Sequence, residues 1–116
     1  MTQNRVRTLL LVEDEVIVAR VEAKQLTDQG YKVIVVHTGE KAIDHIREKA
    51  GDIDLILMDI NLGPGMDGTE AAREILKDHD IPILFLSSHT EREIVEKTRE
   101  ITSYGYVIKD SGITVL

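Results

Sequence analysis

The sequence predicts an α/β fold of the doubly wound kind, a parallel sheet with helices on both faces. Three observations predict it. The apolar residues gather in five short blocks, each bounded by polar or turn residues. Within the blocks there is little polar alternation, which is what strands covered on both faces require. Between the blocks lie segments with helical apolar spacing, so strand and helix alternate from Leu9 to Ile108, the pattern of right-handed crossover units.

The first block, Leu9 to Val12, runs into Glu13, Asp14 and Glu15. A helix is expected next, with Val16, Ala19, Ala23 and Leu26 on one face and Gly30 as its stop. The second block is Val33 to Val36; after it Thr38 is a fitting cap for a helix carrying Ala42, Ile43, Ile46 and Ala50. The third block, Leu55 to Met58, leads to Asp59 and Asn61, and a third stripe of Ala71, Ala72 and Ile75 follows Asp67 and Gly68. The fourth block, Ile83 to Leu86, ends in Ser87-Ser88. A fourth helix is expected from Ile94, Val95, Thr98 and Ile101, opened by a capping-box pattern at Thr90-Glu91-Arg92-Glu93. Its apolar stripe is thin, so it should pack weakly and move cheaply. The fifth block, Tyr106 to Ile108, delivers Lys109. Five strands but only four helices are visible, because Ser111 to Leu116 is too short for a stable helix by itself.

Length and composition bound the function. At 116 residues, 42% of them apolar and 30% charged, the chain is expected to be one domain spanning 1–116 with one ordinary core. A formal net charge of -7 disfavours non-specific contact with nucleic acid or an anionic membrane. The absence of cysteine excludes disulfides and thiol chemistry. The start of the chain reaches only four consecutive apolar residues before two acids, too short for a signal peptide or a membrane span. A cytoplasmic protein is expected.

In doubly wound sheets ligands sit outside the carboxyl ends of the strands, where the strand order reverses. Glu13, Asp14 and Glu15 follow the first strand and Asp59 the third, so carboxylates converge there and repel unless a cation neutralises them. A hard cation such as Mg²⁺ takes oxygen ligands and binds one or two carboxylates together with a phosphate. Ser87 and Lys109 bring a hydroxyl and an ammonium to the same edge. A carboxylate nucleophile, a metal site, a hydroxyl donor and a fixed cation are the parts that phosphoryl transfer needs. Each part alone has a bland reading, as a loop acid, a turn residue, a helix cap or a surface charge. Their joint appearance at one sheet edge argues for chemistry.

These residues resemble the receiver domain of bacterial and archaeal two-component response regulators. The resemblance rests on Leu11-Val12-Glu13-Asp14-Glu15, Leu57-Met58-Asp59-Ile60-Asn61, Met66-Asp67-Gly68, Phe85-Leu86-Ser87-Ser88 and Tyr106-Val107-Ile108-Lys109. It implies a five-stranded flavodoxin-like sheet in the order 2-1-3-4-5, with the fifth helix missing or truncated. It implies that Asp59 accepts a phosphoryl group from a histidine kinase or histidine phosphotransfer domain. Asp14 would be a direct ligand of Mg²⁺, or of Mn²⁺ in its place; Glu13 would act through water and Asn61 through its backbone carbonyl. Ser87 and Lys109 would hold the phosphoryl oxygens, and Ser87 with Tyr106 would form a conformational switch. Asn61 and His89 stand where the family tunes dephosphorylation. The activity would be self-catalysed phosphorylation and autodephosphorylation of Asp59 rather than turnover of a separate substrate.

Three features depart from the family pattern. The loop from Asn61 to Gly68 is one residue longer than the commonest version. Asp110 stands after Lys109 where a proline is usual. The chain stops at Leu116, where a fifth helix should start, which suggests a fragment or a C-terminally truncated receiver with no output domain. A homodimer through the surface of the fourth helix, fifth strand and fifth helix is an expected partner arrangement. Rival readings fit less well. An aspartyl phosphatase needs a second acid where Asn61 stands, a flavodoxin-type binding module needs a Ser, Thr and Gly loop where the first acids stand, and a pseudo-receiver would have lost a site residue.

Overall fold

A computed structural model describes residues 6–87 and the strand at 106–108, with Ser87 and 106–108 described in their backbone alone. The fourth helix, His89, Lys109, Asp110 and the segment expected to begin a fifth helix lie outside the described residues.

The apolar blocks are strands, each within a residue of its expected bounds: β1 Thr8–Val12, β2 Lys32–Val36, β3 Leu55–Asp59, β4 Ile83–Ser87 and β5 Tyr106–Ile108. Helices α1 Val16–Asp28, α2 Gly39–Lys49 and α3 Gly68–Asp78 fill the intervals, with a short 3-10 turn at Ala50–Asp52. All strands pair in parallel, in the order β2-β1-β3-β4-β5, as the resemblance implies.

Alternate residues of each strand serve opposite faces. Leu10, Val12, Ile56, Met58, Ile83 and Phe85 pack with Ala42 and Ile46 of α2 and Ala71, Ala72 and Ile75 of α3. Leu9, Leu11, Leu57, Leu84 and Leu86 pack on the other face with Leu26 and the half-buried Ala23 of α1. Strand β2 is only half buried from Val33 to Val36, as an edge strand should be.

The helix ends follow local chemistry. Thr38 Oγ1 accepts the Lys41 N–H at 3.0 Å, as expected of a cap. Asp67 and Glu70 form a reciprocal capping box, with Asp67 accepting from the Glu70 N–H at 2.9 Å and Glu70 from the Asp67 N–H at 3.1 Å. Gly30 ends α1 with φ +100°, a left-handed conformation that disfavours side chains. On α3, the Lys77 ammonium hydrogen-bonds Glu74 at 2.7 Å and holds its carboxyl below the usual range.

One expected face needs correction. Val16 is 55% exposed, while Ala19, Glu22 and Leu26 are the buried residues of α1. At about 100° per residue, Ala19 and Leu26 lie almost in line, with Glu22 and Ala23 on their two shoulders. Val16 falls outside that arc.

The register of β1 against β3 is anchored away from the acids. The Thr8 N–H donates to Asp54 Oδ2 at 2.8 Å, and the Asp54 N–H donates to the Thr8 carbonyl at 2.8 Å. From this clasp the pairs run Leu9 with Leu55 to Val12 with Met58. The next residues, Glu13 and Asp59, therefore leave the sheet side by side.

Candidate functional site

Strand β1 connects to β2 on one side of the sheet, whereas β3 lies on its other side. The crevice between the carboxyl ends of β1 and β3 is thus where the strand order reverses, the place where such sheets bind ligands. Glu13 and Asp14 follow β1, and Asp59 is the last residue of β3.

Their carboxylates do converge. One oxygen from each of Glu13, Asp14 and Asp59 lies within 4.8 Å of the others. Glu13 is fully buried and Asp59 is 4% exposed, while Asp14 is half-buried and gives the cluster its opening to solvent. Three acids, all oxygen donors and two of them withdrawn from water, fit a hard divalent cation, which neutralises them and accepts oxygen ligands from a partly open site.

The main chain holds the acids in place. Asp59 Oδ1 accepts the Asn61 N–H at 3.1 Å, and Glu13 Oε2 accepts the Glu15 N–H at 3.2 Å. The Ile60 N–H continues the ladder to the Leu86 carbonyl at 3.1 Å, and the Ile60 carbonyl accepts the Gly68 N–H at 3.0 Å. This last bond folds the loop back onto the end of β3 so tightly that a Cβ on Gly68 would overlap the Asp59 carbonyl oxygen. Glycine is required there by contact rather than by φ. The loop between contains a cis Gly63–Pro64 bond and is tied to α2 where the Met66 N–H meets Glu40 Oε2 at 3.4 Å.

Of the other expected site residues, Asn61 is an exposed residue next to Asp59. Asp59 pairs with Leu86 in the ladder, which puts Ser87 one step further along the same edge. Tyr106 pairs with Phe85 and Ile108 with Ser87. His89 and Lys109 fall outside the described residues.

Sequence reasoning missed two contributors. His37 follows β2, and its Nδ1 lies 2.8 Å from the Glu13 carbonyl oxygen. The rule that pointed to the ends of β1 and β3 selects the place where the strand order reverses and does not reach β2 at the sheet edge, so the spacing carried no signal for it. The Asp67 capping box was legible, as an acid three residues before Glu70 and an apolar run. Among the described residues, no helix is long and apolar enough to cross a membrane.

Comparison with known proteins agrees with this geometry. The family model described as the response regulator receiver domain matches residues 9–116. The transcriptional regulatory protein PdtaR of Mycobacterium tuberculosis is 30% identical over 111 residues, which are 95% of this chain and 53% of PdtaR. The sensor kinase CckA of Brucella abortus is 32% identical over 110 residues, 94% of this chain and 12% of that kinase. This chain therefore spans about half the length of PdtaR and a small part of CckA. Among solved structures, the N-terminal domain of a response regulator/sensory box/GGDEF three-domain protein from Carboxydothermus hydrogenoformans is 42% identical with a TM-score of 0.82, covering 93% of this chain and 84% of that one. Sequence, topology and the acid-lined crevice lead to one identification: the chain belongs to the receiver domain family of two-component response regulators.

Proposed function

We propose that the chain receives a phosphoryl group on Asp59 from a phosphohistidine of a kinase or histidine phosphotransfer domain, with a divalent cation, Mg²⁺ or Mn²⁺, held by Asp14, Asp59, the Asn61 carbonyl and, through water, Glu13. The observation that carries this reading is the convergence of Glu13, Asp14 and Asp59 at the point where the strand order reverses. When bound, the cation supplies positive charge that offsets the negative charge on the phosphoryl oxygens.

The chain's own residues do the rest. An oxygen of Asp59 attacks phosphorus in line with the departing imidazole nitrogen; the P–O bond forms as the P–N bond breaks, and the nitrogen keeps the electron pair. The N–H of Asn61 helps to fix the carboxylate in its orientation at the end of β3. Ser87 and Lys109 take the remaining phosphoryl oxygens, and the new charge draws Ser87 inward while Tyr106 turns. Water later hydrolyses the acyl phosphate, at a rate set by Asn61 and His89. The chain acts on itself and turns over no separate substrate. The same reading makes it a cytoplasmic relay component that pairs with a second copy through the surface of the fourth helix, fifth strand and fifth helix and contacts neither nucleic acid directly nor membrane.

Intact mass after incubation with acetyl phosphate and Mg²⁺ tests the acceptor. The parent should gain one phosphoryl group and Asp59→Ala none; equal labelling of both would remove Asp59 from the role.

A further inference from the structure

We propose that His37 is a positioning residue for the acidic pair, its ring N–H holding the peptide between Glu13 and Asp14 in the orientation that presents Asp14 to a divalent cation. The inference rests on the cation-binding reading of the site.

The argument starts from the parallel ladder. The last register pair between β1 and β2 is Val12 with Val36, and one further bond continues it, from the Glu13 N–H to the Val36 carbonyl at 3.0 Å. In a continued parallel ladder the Glu13 carbonyl would next accept the N–H of Thr38. Strand β2 has ended by then, and Thr38 instead serves as the cap of α2. The His37 ring takes the vacated role, with Nδ1 at 2.8 Å from the Glu13 oxygen. A carbonyl only accepts, so Nδ1 carries the hydrogen.

The consequence follows from peptide planarity. The Glu13 carbonyl and the Asp14 N–H belong to one rigid plane, so fixing the carbonyl fixes the start of Asp14. The end of β2 thereby grips both peptides flanking Glu13, the first by main chain and the second by an exposed side chain. Glu13 is further held by the Glu15 N–H on its carboxylate. Among the described residues Asp14 makes no such contact and depends on its backbone for aim; partners of this kind set metal affinity even though they never touch the ion.

The test compares His37→Ala with His37→Asn, whose amide N–H₂ sits near the place of Nδ1. In metal-free protein, His37→Ala should shift the Asp14 amide resonance, and Mg²⁺ titration should show affinity weakened by roughly tenfold. His37→Asn should restore most of both. An unmoved Asp14 resonance and unchanged affinity in His37→Ala, or equal losses in the two variants, would overturn the proposal. The metal-free resonance reports the hydrogen bond independently of the ion, so a parent that fails to titrate with Mg²⁺ exposes failure of the cation reading instead, and removes the proposal with it.

Discussion

A buried carboxylate needs hydrogen-bond donors, and Glu13 and Asp59 each find one in the main chain two residues further on. Donors of this sort cannot be lost to a rotamer change, so the acids stay aimed at the crevice. Gly68 makes the arrangement possible from the other side, since its amide closes the loop onto the Ile60 carbonyl and its missing Cβ leaves room for the Asp59 carbonyl. Gly68→Ala should cost about 1–3 kcal/mol of stability through this overlap. Urea denaturation measures it, and a midpoint equal to the parent's would mean that α3 can start further from β3 than the structure places it.

At the level of elements, strands were the most legible part of the sequence, because a strand buried on both faces admits almost nothing but apolar residues and its ends announce themselves. Helix caps were partly legible. Thr38 could be named because it precedes a clear apolar stripe, and the box at Asp67 and Glu70, though its spacing was legible, was passed over at the end of a loop rich in glycine. The buried face of α1 was misjudged at Val16, because the apolar run Val16-Ile17-Val18 offers several faces and only packing selects one. Glu22 turns inward where the spacing puts it, beside Ala19 and Leu26, but a charged residue gave no sign of burial. The acidic site was legible because strand ends are points the topology must bring together, whereas the contribution of His37 depends on how one strand stops. For α3 the cap is the testable piece: Asp67→Ala should lower stability by about 1 kcal/mol, read as a reduced urea midpoint with an unchanged slope. Thr69, whose hydroxyl donates to Asp67 at 2.7 Å, would lose that partner in the same variant.

Over the whole molecule the three acids concentrate negative charge at the crevice, in a chain whose net charge is already -7. A cation that binds only the folded chain must then stabilise it by mass action. At free Mg²⁺ of about a hundred times its dissociation constant, stability should rise by roughly 2.7 kcal/mol. Thermal melting with Mg²⁺ and again with excess chelator measures the gain, and Asp14→Asn should abolish most of it. A melt indifferent to Mg²⁺ in the parent would argue against cation binding at this site.

The clasp between Thr8 and Asp54 sits at the opposite end of β1 and β3 from the acids. Alignment of the acids is therefore gauged from the floor of the sheet, and the loops above are released from that duty. A longer connection after Asp59 can bulge, turn and tie itself to Glu40 without sliding Asp59 past its neighbours. Such a division lets the rim diversify toward different partners while the distance between the carboxylates is inherited unchanged from below.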